Sequence, residues 1–78
     1  MTLPEPEKIQ LSARQRECLT MIAAGKTSAQ IAAQLGLSRR TVDHYVGSAC
    51  AKLGVRSRTQ AVARMIGLGL IPVNGVQS

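Results

Sequence analysis

The feature of this sequence that most constrains its fold is a repeated order of hydroxyl residues and glycines. Four successive segments each begin with Ser or Thr and end with Gly: Ser12 to Gly25, Thr27 to Gly36, Ser38 to Gly54 and Ser57 to Gly69. A hydroxyl side chain accepts hydrogen bonds from the free N–H groups at a helix start, and Gly adopts the left-handed conformation that commonly ends a helix. The pattern therefore predicts four helices, at about residues 13–24, 28–35, 39–53 and 58–68.

Glutamines and apolar spacing support these helices. At three of the starts Gln follows the hydroxyl residue by three positions, as in a capping box: Ser12 with Gln15, Thr27 with Gln30, Ser57 with Gln60. Apolar residues recur at helical spacing, which gives each helix one side that faces a core. The predicted core faces are Cys18, Leu19 and Ile22; Ile31, Ala32 and Leu35; Val42, Val46, Ala49, Cys50 and Leu53; and Val62, Met65, Ile66 and Gly69. We predict an all-α fold, a four-helix bundle over residues 11–71, between a flexible leader (1–10) and a flexible tail (72–78).

The second and third predicted helices are joined by a very short link, residues 36–38. Such a link forces a sharp angle between two helices. Ala32 is small where the helices approach, Gly36 permits a positive φ in the turn, and Val42 fills the space between them. This spacing of Ala, Gly and Val predicts a helix-turn-helix.

The charge of the chain is +6 and is unevenly distributed. The first seventeen residues contain equal numbers of acidic and basic side chains, whereas seven basic residues and one acid, Asp43, follow Glu17. This excess predicts a polyanionic partner, nucleic acid or anionic lipid. The basic residues cluster near a turn rather than along one amphipathic stripe, and no apolar run reaches membrane-spanning length, which favours nucleic acid. Because Pro and Glu in the first residues do not fit a signal peptide, we expect a cytoplasmic protein with reduced cysteines.

Composition argues against several other functions. Tyr45 is the only aromatic residue, which disfavours modules that stack single-stranded bases on aromatic side chains. One histidine, His44, and two distant cysteines do not form a zinc-binding pattern. No nucleophile or phosphate-cradling glycine motif is present, so we expect no enzyme activity, no cofactor and no metal. We assign Cys18 and Cys50 to the core, with a redox switch as the alternative.

Several motifs combine into a family resemblance. They are Leu-Ser-Ala-Arg-Gln-Arg-Glu at 11–17, Gly25, Ile31-Ala32, Thr41-Val42, Lys-Leu-Gly-Val-Arg-Ser-Arg at 52–58 and Gly-Leu-Ile at 69–71. Together they resemble the LuxR/GerE-type helix-turn-helix domain over residues 11–71, and the last helix and its ending are most similar to the quorum-sensing LuxR branch. The resemblance implies a four-helix DNA-binding domain of a transcriptional regulator, which works as a dimer and is usually attached to a sensory or receiver domain. The chain is then either a short stand-alone member or an excised C-terminal domain.

The helix predicted at 39–53 is the expected recognition helix. With Val42 and Val46 facing the core, its opposite face carries Arg40, His44 and Gly47, with Asp43 at the edge, and this face is predicted to enter the major groove. The resemblance assigns base reading to Asp43, His44 and Gly47, and Arg40 is a candidate for guanine or phosphate. Asp43 has two possible roles: it accepts from cytosine N4, or it orients Arg39 or Arg40 on its own helix.

Other residues are predicted to hold phosphates, which positions a domain without reading sequence. They are basic side chains and residues at helix starts: Lys26, Thr27, Ser38, Arg39, Thr41, Lys52, Arg56 and Arg58.

The fourth helix is the predicted dimer interface. Thr59, Ala63 and Gly67 form an outward line of small residues that lets a second helix approach, and the resemblance also implies dimerisation through this helix. We predict an inverted-repeat site in double-stranded DNA and a homodimer that is weak without DNA.

Other functions and partners are open at this point. RNA polymerase or a full-length homologue are possible additional partners in the bacterial cytoplasm and nucleoid. A sigma-factor promoter domain shares the lead-in and the tight turn, but the Lys-Leu-Gly-Val-Arg stretch and the capped fourth helix argue against it. The alternative from another class is a protein-interaction module, an anti-activator that forms inactive heterodimers with a full-length homologue.

Overall fold

The computed structural model describes residues 10–70, which fold into four helices. These are α1 (Ala13–Ala23), α2 (Ser28–Leu35), α3 (Arg39–Leu53) and α4 (Arg58–Gly67). Each predicted boundary is correct to within one residue, and no strand is present in this range, so the predicted all-α class is confirmed. Apart from Gln10, the leader and tail predicted at 1–10 and 72–78 lie outside the described residues.

The hydroxyl residues begin the helices as predicted. Ser12 Oγ accepts from the Gln15 N–H at 3.1 Å, and Gln15 Oε1 accepts from the Ser12 N–H at 2.8 Å. The same reciprocal pair of bonds forms at the starts of α2 and α4, whereas α3 has only the bond from the Thr41 N–H to Ser38 Oγ. Each capping box uses glutamine, not glutamate, and none of the four helices has an acidic residue in its first turn.

The core is built around α3, which contacts each of the other three helices. All five apolar residues predicted for its inner face are buried. The prediction for α4 was right for Met65, which is fully buried, but it missed the buried Ala61. Val62 and Ile66 pack against the core only partly covered, and Gly69 is exposed. The small Ala61 side chain lets α4 approach the bundle closely along the line from Ala61 to Met65. A similar difference occurs in α1, where Met21 rather than Ile22 completes the buried face.

The turn between α2 and α3 has the predicted geometry. Gly36 has a φ of 69°, in the left-handed region. An added Cβ at Gly36 would have no atom within 4 Å, so the backbone angle and not lack of space favours glycine there. The Leu37 N–H donates to the Ala32 carbonyl at 2.9 Å, and Val42 is fully buried beneath the turn. The short link thus fixes the direction of α3 relative to α2.

The two cysteines are buried in the core and unbonded to each other. Burial raises the pKa of both thiols, which keeps them in the unreactive neutral form. Within residues 10–70, no helix combines the length and the apolar character that crossing a bilayer requires.

Candidate nucleic-acid interface

The four residues predicted to read bases lie on one exposed face of α3. Arg40, Asp43, His44 and Gly47 are exposed, while the residues between them on the inner side of the helix are buried. An added Cβ at Gly47 would also have no atom within 4 Å, and its backbone is ordinary helix, so nothing in the described structure requires glycine there. The fold therefore presents a continuous helical surface that has the size to enter a DNA major groove.

Two surface depressions, each of about 570 Å³, adjoin this face. The first is lined by the start of α2 and by Arg39, and the second by Gly47 and the segment that leads into α4. Asp43 and Arg58 line both depressions and thus form the wall between them. The exposed face of α3 is in this way continuous with the beginnings of α2 and α4.

Four basic side chains around this surface have no hydrogen bond or ion pair within residues 10–70: Lys26, Arg39, Arg40 and Arg56. In the same range the two acids are each paired, Glu17 with Arg14 at 2.7 Å and Asp43 with Arg58 at 3.3 Å. The result is a surface of positive charge on which cations remain available for phosphate groups.

The starts of α2 and α3 differ in how many N–H groups are free for an anion. The Thr27 N–H donates to Gln30 Oε1 at 2.8 Å, as the predicted capping box requires, so this N–H is not free for a phosphate. At α3 the Ser38 and Thr41 hydroxyls are 2.8 Å apart, and no glutamine covers the Ser38 N–H. Of the two, α3 therefore keeps the helix start with more donors for an anion.

Two predicted phosphate ligands are engaged inside the fold. Lys52 Nζ donates to the Gln10 carbonyl and to Gln15 Oε1, both at 2.9 Å, and so ties the end of α3 to the start of α1. Arg58 donates to Ser28 and Asp43. Phosphate binding by Lys52 and Arg58 stays a prediction, and Lys52 has one ammonium N–H left for it beyond these two bonds.

Asp43 is held by helices other than its own. Ser28 Oγ on α2 donates to Asp43 Oδ1 at 2.7 Å, and Arg58 Nη2 on α4 donates to the same oxygen at 3.3 Å. The Ser28 hydrogen bond, aided by Arg58, holds the pKa of the Asp43 carboxyl below its ordinary value. Arg39 contributes to that effect only through its charge. The prediction that Asp43 orients Arg39 or Arg40 was therefore wrong about the arginine, since Asp43 is hydrogen-bonded to Arg58 and to neither of these.

The outward line on α4 is also present. Thr59, Ala63 and Gly67 are all exposed, and an added Cβ at Gly67 would have no atom within 4 Å. Partly covered apolar residues flank the line, Val62 and Ile66 among them. A second helix could therefore reach both the small residues and an apolar edge.

A tight turn that sets a helix with an exposed, cationic outer face beside a shorter helix defines a helix-turn-helix DNA-binding domain. Residues 9–65 match the family model described as GerE, bacterial regulatory proteins of the luxR family. The chain belongs to the LuxR/GerE family and is a DNA-binding domain of a transcriptional regulator, not an enzyme.

Relatives and solved structures agree with this membership. The spore germination protein GerE of Bacillus subtilis is 37% identical over 59 residues, which cover 76% of this chain and 80% of that protein. The solved structure of GerE superposes with a TM-score of 0.77 at 30% identity, over 81% of this chain and 94% of that chain. The Vibrio cholerae VqmA dimer gives a TM-score of 0.75 at 27% identity, over 95% of this chain and 35% of that chain.

Most curated relatives are much longer than the matched region. The quorum sensing-dependent regulator VjbR of Brucella ovis is 42% identical over 67 residues, 86% of this chain but 26% of that protein. The chain spans about a quarter of the length of several such relatives.

Proposed function

We propose that this domain binds an inverted-repeat operator as a dimer, with α3 in the major groove of each half-site. The observation that carries the proposal is the exposed face of Arg40, Asp43, His44 and Gly47, bordered by basic side chains that have no partner within residues 10–70. Direct readout needs a helix whose outer side chains reach base edges, and affinity needs cations for the phosphates on both sides. AhyR is named as a transcriptional activator and VjbR as a quorum sensing-dependent transcriptional regulator, which supports a role in transcription regulation and, through VjbR alone, in quorum sensing. This role belongs to the bacterial cytoplasm.

Phosphate contacts divide into two groups in this proposal. Lys26, Arg39 and Arg56 bind phosphates directly through free side chains, and the α3 start contributes through Ser38 and its following N–H groups. Arg58 contacts phosphate with the guanidinium N–H groups that Asp43 and Ser28 do not occupy. Thr27, Thr41 and Lys52 contribute less because their polar atoms already have internal partners.

Salt dependence tests the electrostatic half of the proposal. If a dimer engages about eight phosphates, the logarithm of the association constant should fall against the logarithm of salt concentration with a slope near about −7. Fluorescence anisotropy on a labelled duplex over a salt series gives this slope. A slope near zero would contradict binding through the phosphates.

Dimerisation through α4 is supported by the exposed line of Thr59, Ala63 and Gly67 and by the dimeric state named for VqmA. The helix is only ten residues long, so the contact area is small and the dimer should form mainly on DNA. Sedimentation of the free domain at high micromolar concentration should therefore give a monomer, and a tight dimer would refute the weak-dimer prediction.

Ala63→Glu should weaken binding to an inverted repeat about tenfold, which is about 1.4 kcal/mol. A two-fold axis through α4 brings two copies of position 63 together, so the change adds bulk and opposes like charges. Ala33→Glu is the matched control, because Ala33 is an exposed alanine on α2 and the charge change is the same. Equal losses in the two variants, measured by gel shift, would argue against pairing through α4.

In-vitro selection from a random duplex library tests the proposal as a whole. An enriched palindrome is expected. No enrichment, together with retained binding to a full-length homologue, would replace DNA reading by the anti-activator function.

A further inference from the structure

Asp43 is an acidic residue on a surface that must approach phosphates. It is the only acid after Glu17, and its side chain is 48% exposed on the same face as His44 and Gly47. A carboxylate there opposes the approach of DNA unless it makes a favourable contact in the complex. A freely solvated surface acid would need no special explanation, but a carboxylate held in place at this surface does.

Three hydrogen bonds form a closed triangle around one oxygen of Asp43. Ser28 Oγ donates to Asp43 Oδ1 at 2.7 Å, Arg58 Nη2 donates to the same oxygen at 3.3 Å, and Arg58 Nη1 donates to Ser28 Oγ at 3.0 Å. The three residues belong to three different helices, α2, α3 and α4. The carboxylate is thus oriented by the bundle rather than by its neighbours on α3.

The second carboxylate oxygen, Oδ2, accepts no hydrogen bond within residues 10–70. Ser28 is 6% exposed, so its hydroxyl serves the triangle and has little surface with which to contact DNA. The carboxyl, whose pKa lies below its ordinary value because Ser28 donates to it, is ionised at neutral pH, and an ionised carboxylate can accept hydrogen bonds but cannot donate them. The triangle therefore holds the carboxylate through Oδ1 and leaves Oδ2 as an acceptor without a partner within residues 10–70, on a side chain that is about half exposed.

Only some base edges can satisfy such an acceptor. In the major groove, guanine presents two acceptors and thymine presents an acceptor and a methyl group, so both would oppose a carboxylate. Adenine has an amino group beside the N7 acceptor, whereas the exposed group of cytosine is the N4 amino donor alone. Cytosine is the base whose edge suits the carboxylate without repulsion.

We infer that Asp43, held by Ser28 and Arg58, is a specificity-determining residue that accepts from the N4 amino group of cytosine at one position of each half-site. This inference rests on the proposed function and names the base that one residue reads. Ser28 and Arg58 act as positioning residues, because they fix the carboxylate and need not touch the base.

The test is in-vitro selection from random duplexes with the wild-type domain and two variants, Asp43→Ala and Asp43→Asn. The wild type should enrich cytosine at one position per half-site by about tenfold or more over other bases. Asp43→Ala should lose this preference and keep the preferences at other positions. Asp43→Asn should shift the position towards adenine, since an amide pairs with adenine N6 and N7.

Glu17→Gln is the matched control for charge. It removes one negative charge and breaks the exposed Arg14–Glu17 pair on α1, just as Asp43→Asn removes one and weakens the pair with Arg58. Both variants should bind non-operator DNA more tightly, because each loses one negative charge, but only Asp43→Asn should change the selected sequence. Circular dichroism verifies that all variants keep the four-helix fold.

Ser28→Ala tests the positioning role. Loss of the shorter of the two hydrogen bonds to Oδ1 should raise the pKa of Asp43 towards its ordinary value, measured by NMR titration. It should also reduce the cytosine preference with little effect at other positions. If neither the pKa of Asp43 nor the preference for cytosine changes in Ser28→Ala, then Ser28 does not position the carboxylate.

Two failures are distinguishable. If the wild type enriches no inverted repeat, the proposed function fails. If the wild type enriches an inverted repeat but Asp43→Ala selects the same bases at every position, DNA reading stands and the inference about Asp43 is overturned. The inference is also overturned if the position that changes in Asp43→Ala is one at which the wild type selects a base other than cytosine.

Discussion

Alanine at position 47 is expected to make the free domain more stable and its DNA complex much weaker. Gly47 lies within α3 with ordinary helical backbone, is exposed, and has no atom within 4 Å of an added Cβ. Replacing a glycine in a helix interior by alanine typically stabilises by about 0.5–1 kcal/mol. Glycine at this position therefore lowers the stability of the free domain, and we infer that it is favoured by the DNA complex instead.

In the proposed complex the backbone at Gly47 lies against the groove, so a methyl group there must push α3 outwards. We expect about a tenfold loss of affinity for a single half-site, about 1.4 kcal/mol, and about a hundredfold loss for an inverted repeat that two domains occupy. Thermal unfolding of the free domain and anisotropy titrations on both duplexes measure the two effects separately.

Gly67→Ala provides the matched control. Gly67 is likewise an exposed helical glycine with space for a Cβ, but it lies on the outer line of α4. Because Gly67 is the last residue of α4, the free domain should gain less stability than from Gly47→Ala, while affinity for the single half-site should not change. If Gly47→Ala also binds the half-site as tightly as the wild type, then Gly47 does not approach DNA closely.

Leu53→Ala should cost the largest amount of folding free energy of any change considered, about 2–5 kcal/mol. Leu53 is the last residue of α3 and is fully buried, and its carbonyl accepts from Arg64 Nε of α4 at 3.0 Å. A domain of this size has a total stability near the lower end of about 5–15 kcal/mol. The melting temperature should fall by roughly 10–30 °C, observed by circular dichroism.

Leu35→Ala is the control for this loss. It removes the same atoms from the last residue of α2, which is only partly buried, and should cost no more than about 1–2 kcal/mol. Similar melting temperatures for the two variants would mean that α3 is not anchored through Leu53.

Local signals in the sequence were sufficient to predict the helices. A hydroxyl residue, a glutamine three positions later and a terminal glycine act within a few residues of each other, so Ser12, Thr27 and Ser57 could be assigned without knowledge of the tertiary fold. The inner face of α4 was harder, because Ala61 and Val62 both fit the helical period. The choice between them depends on how closely α4 docks, which is a property of the assembled bundle.

Side-chain roles that join different helices could not be predicted in this way. Lys52 and Gln15 are 37 positions apart in the chain, and Ser28 and Arg58 are 30 apart. The sequence did indicate that Asp43 was unusual, since it is the only acid in the basic part of the chain, but local spacing pointed to Arg39 and Arg40 as partners. A buried serine at the first position of α2 carried no signal, because serine is common at helix starts for local reasons.

Because its capping boxes use neutral glutamines, the stability of the folded domain should depend on whether DNA is bound. A glutamate in the first turn would interact favourably with the positive end of its helix, by about 0.3–1 kcal/mol, and the glutamines at 15, 30 and 60 forgo this stabilisation. The folded domain therefore retains electrostatic repulsion among its cations and helix starts, which a bound polyanion relieves. DNA of any sequence should then act as a thermal protectant for this protein, and the operator adds specificity to a stabilisation that the phosphate backbone already provides.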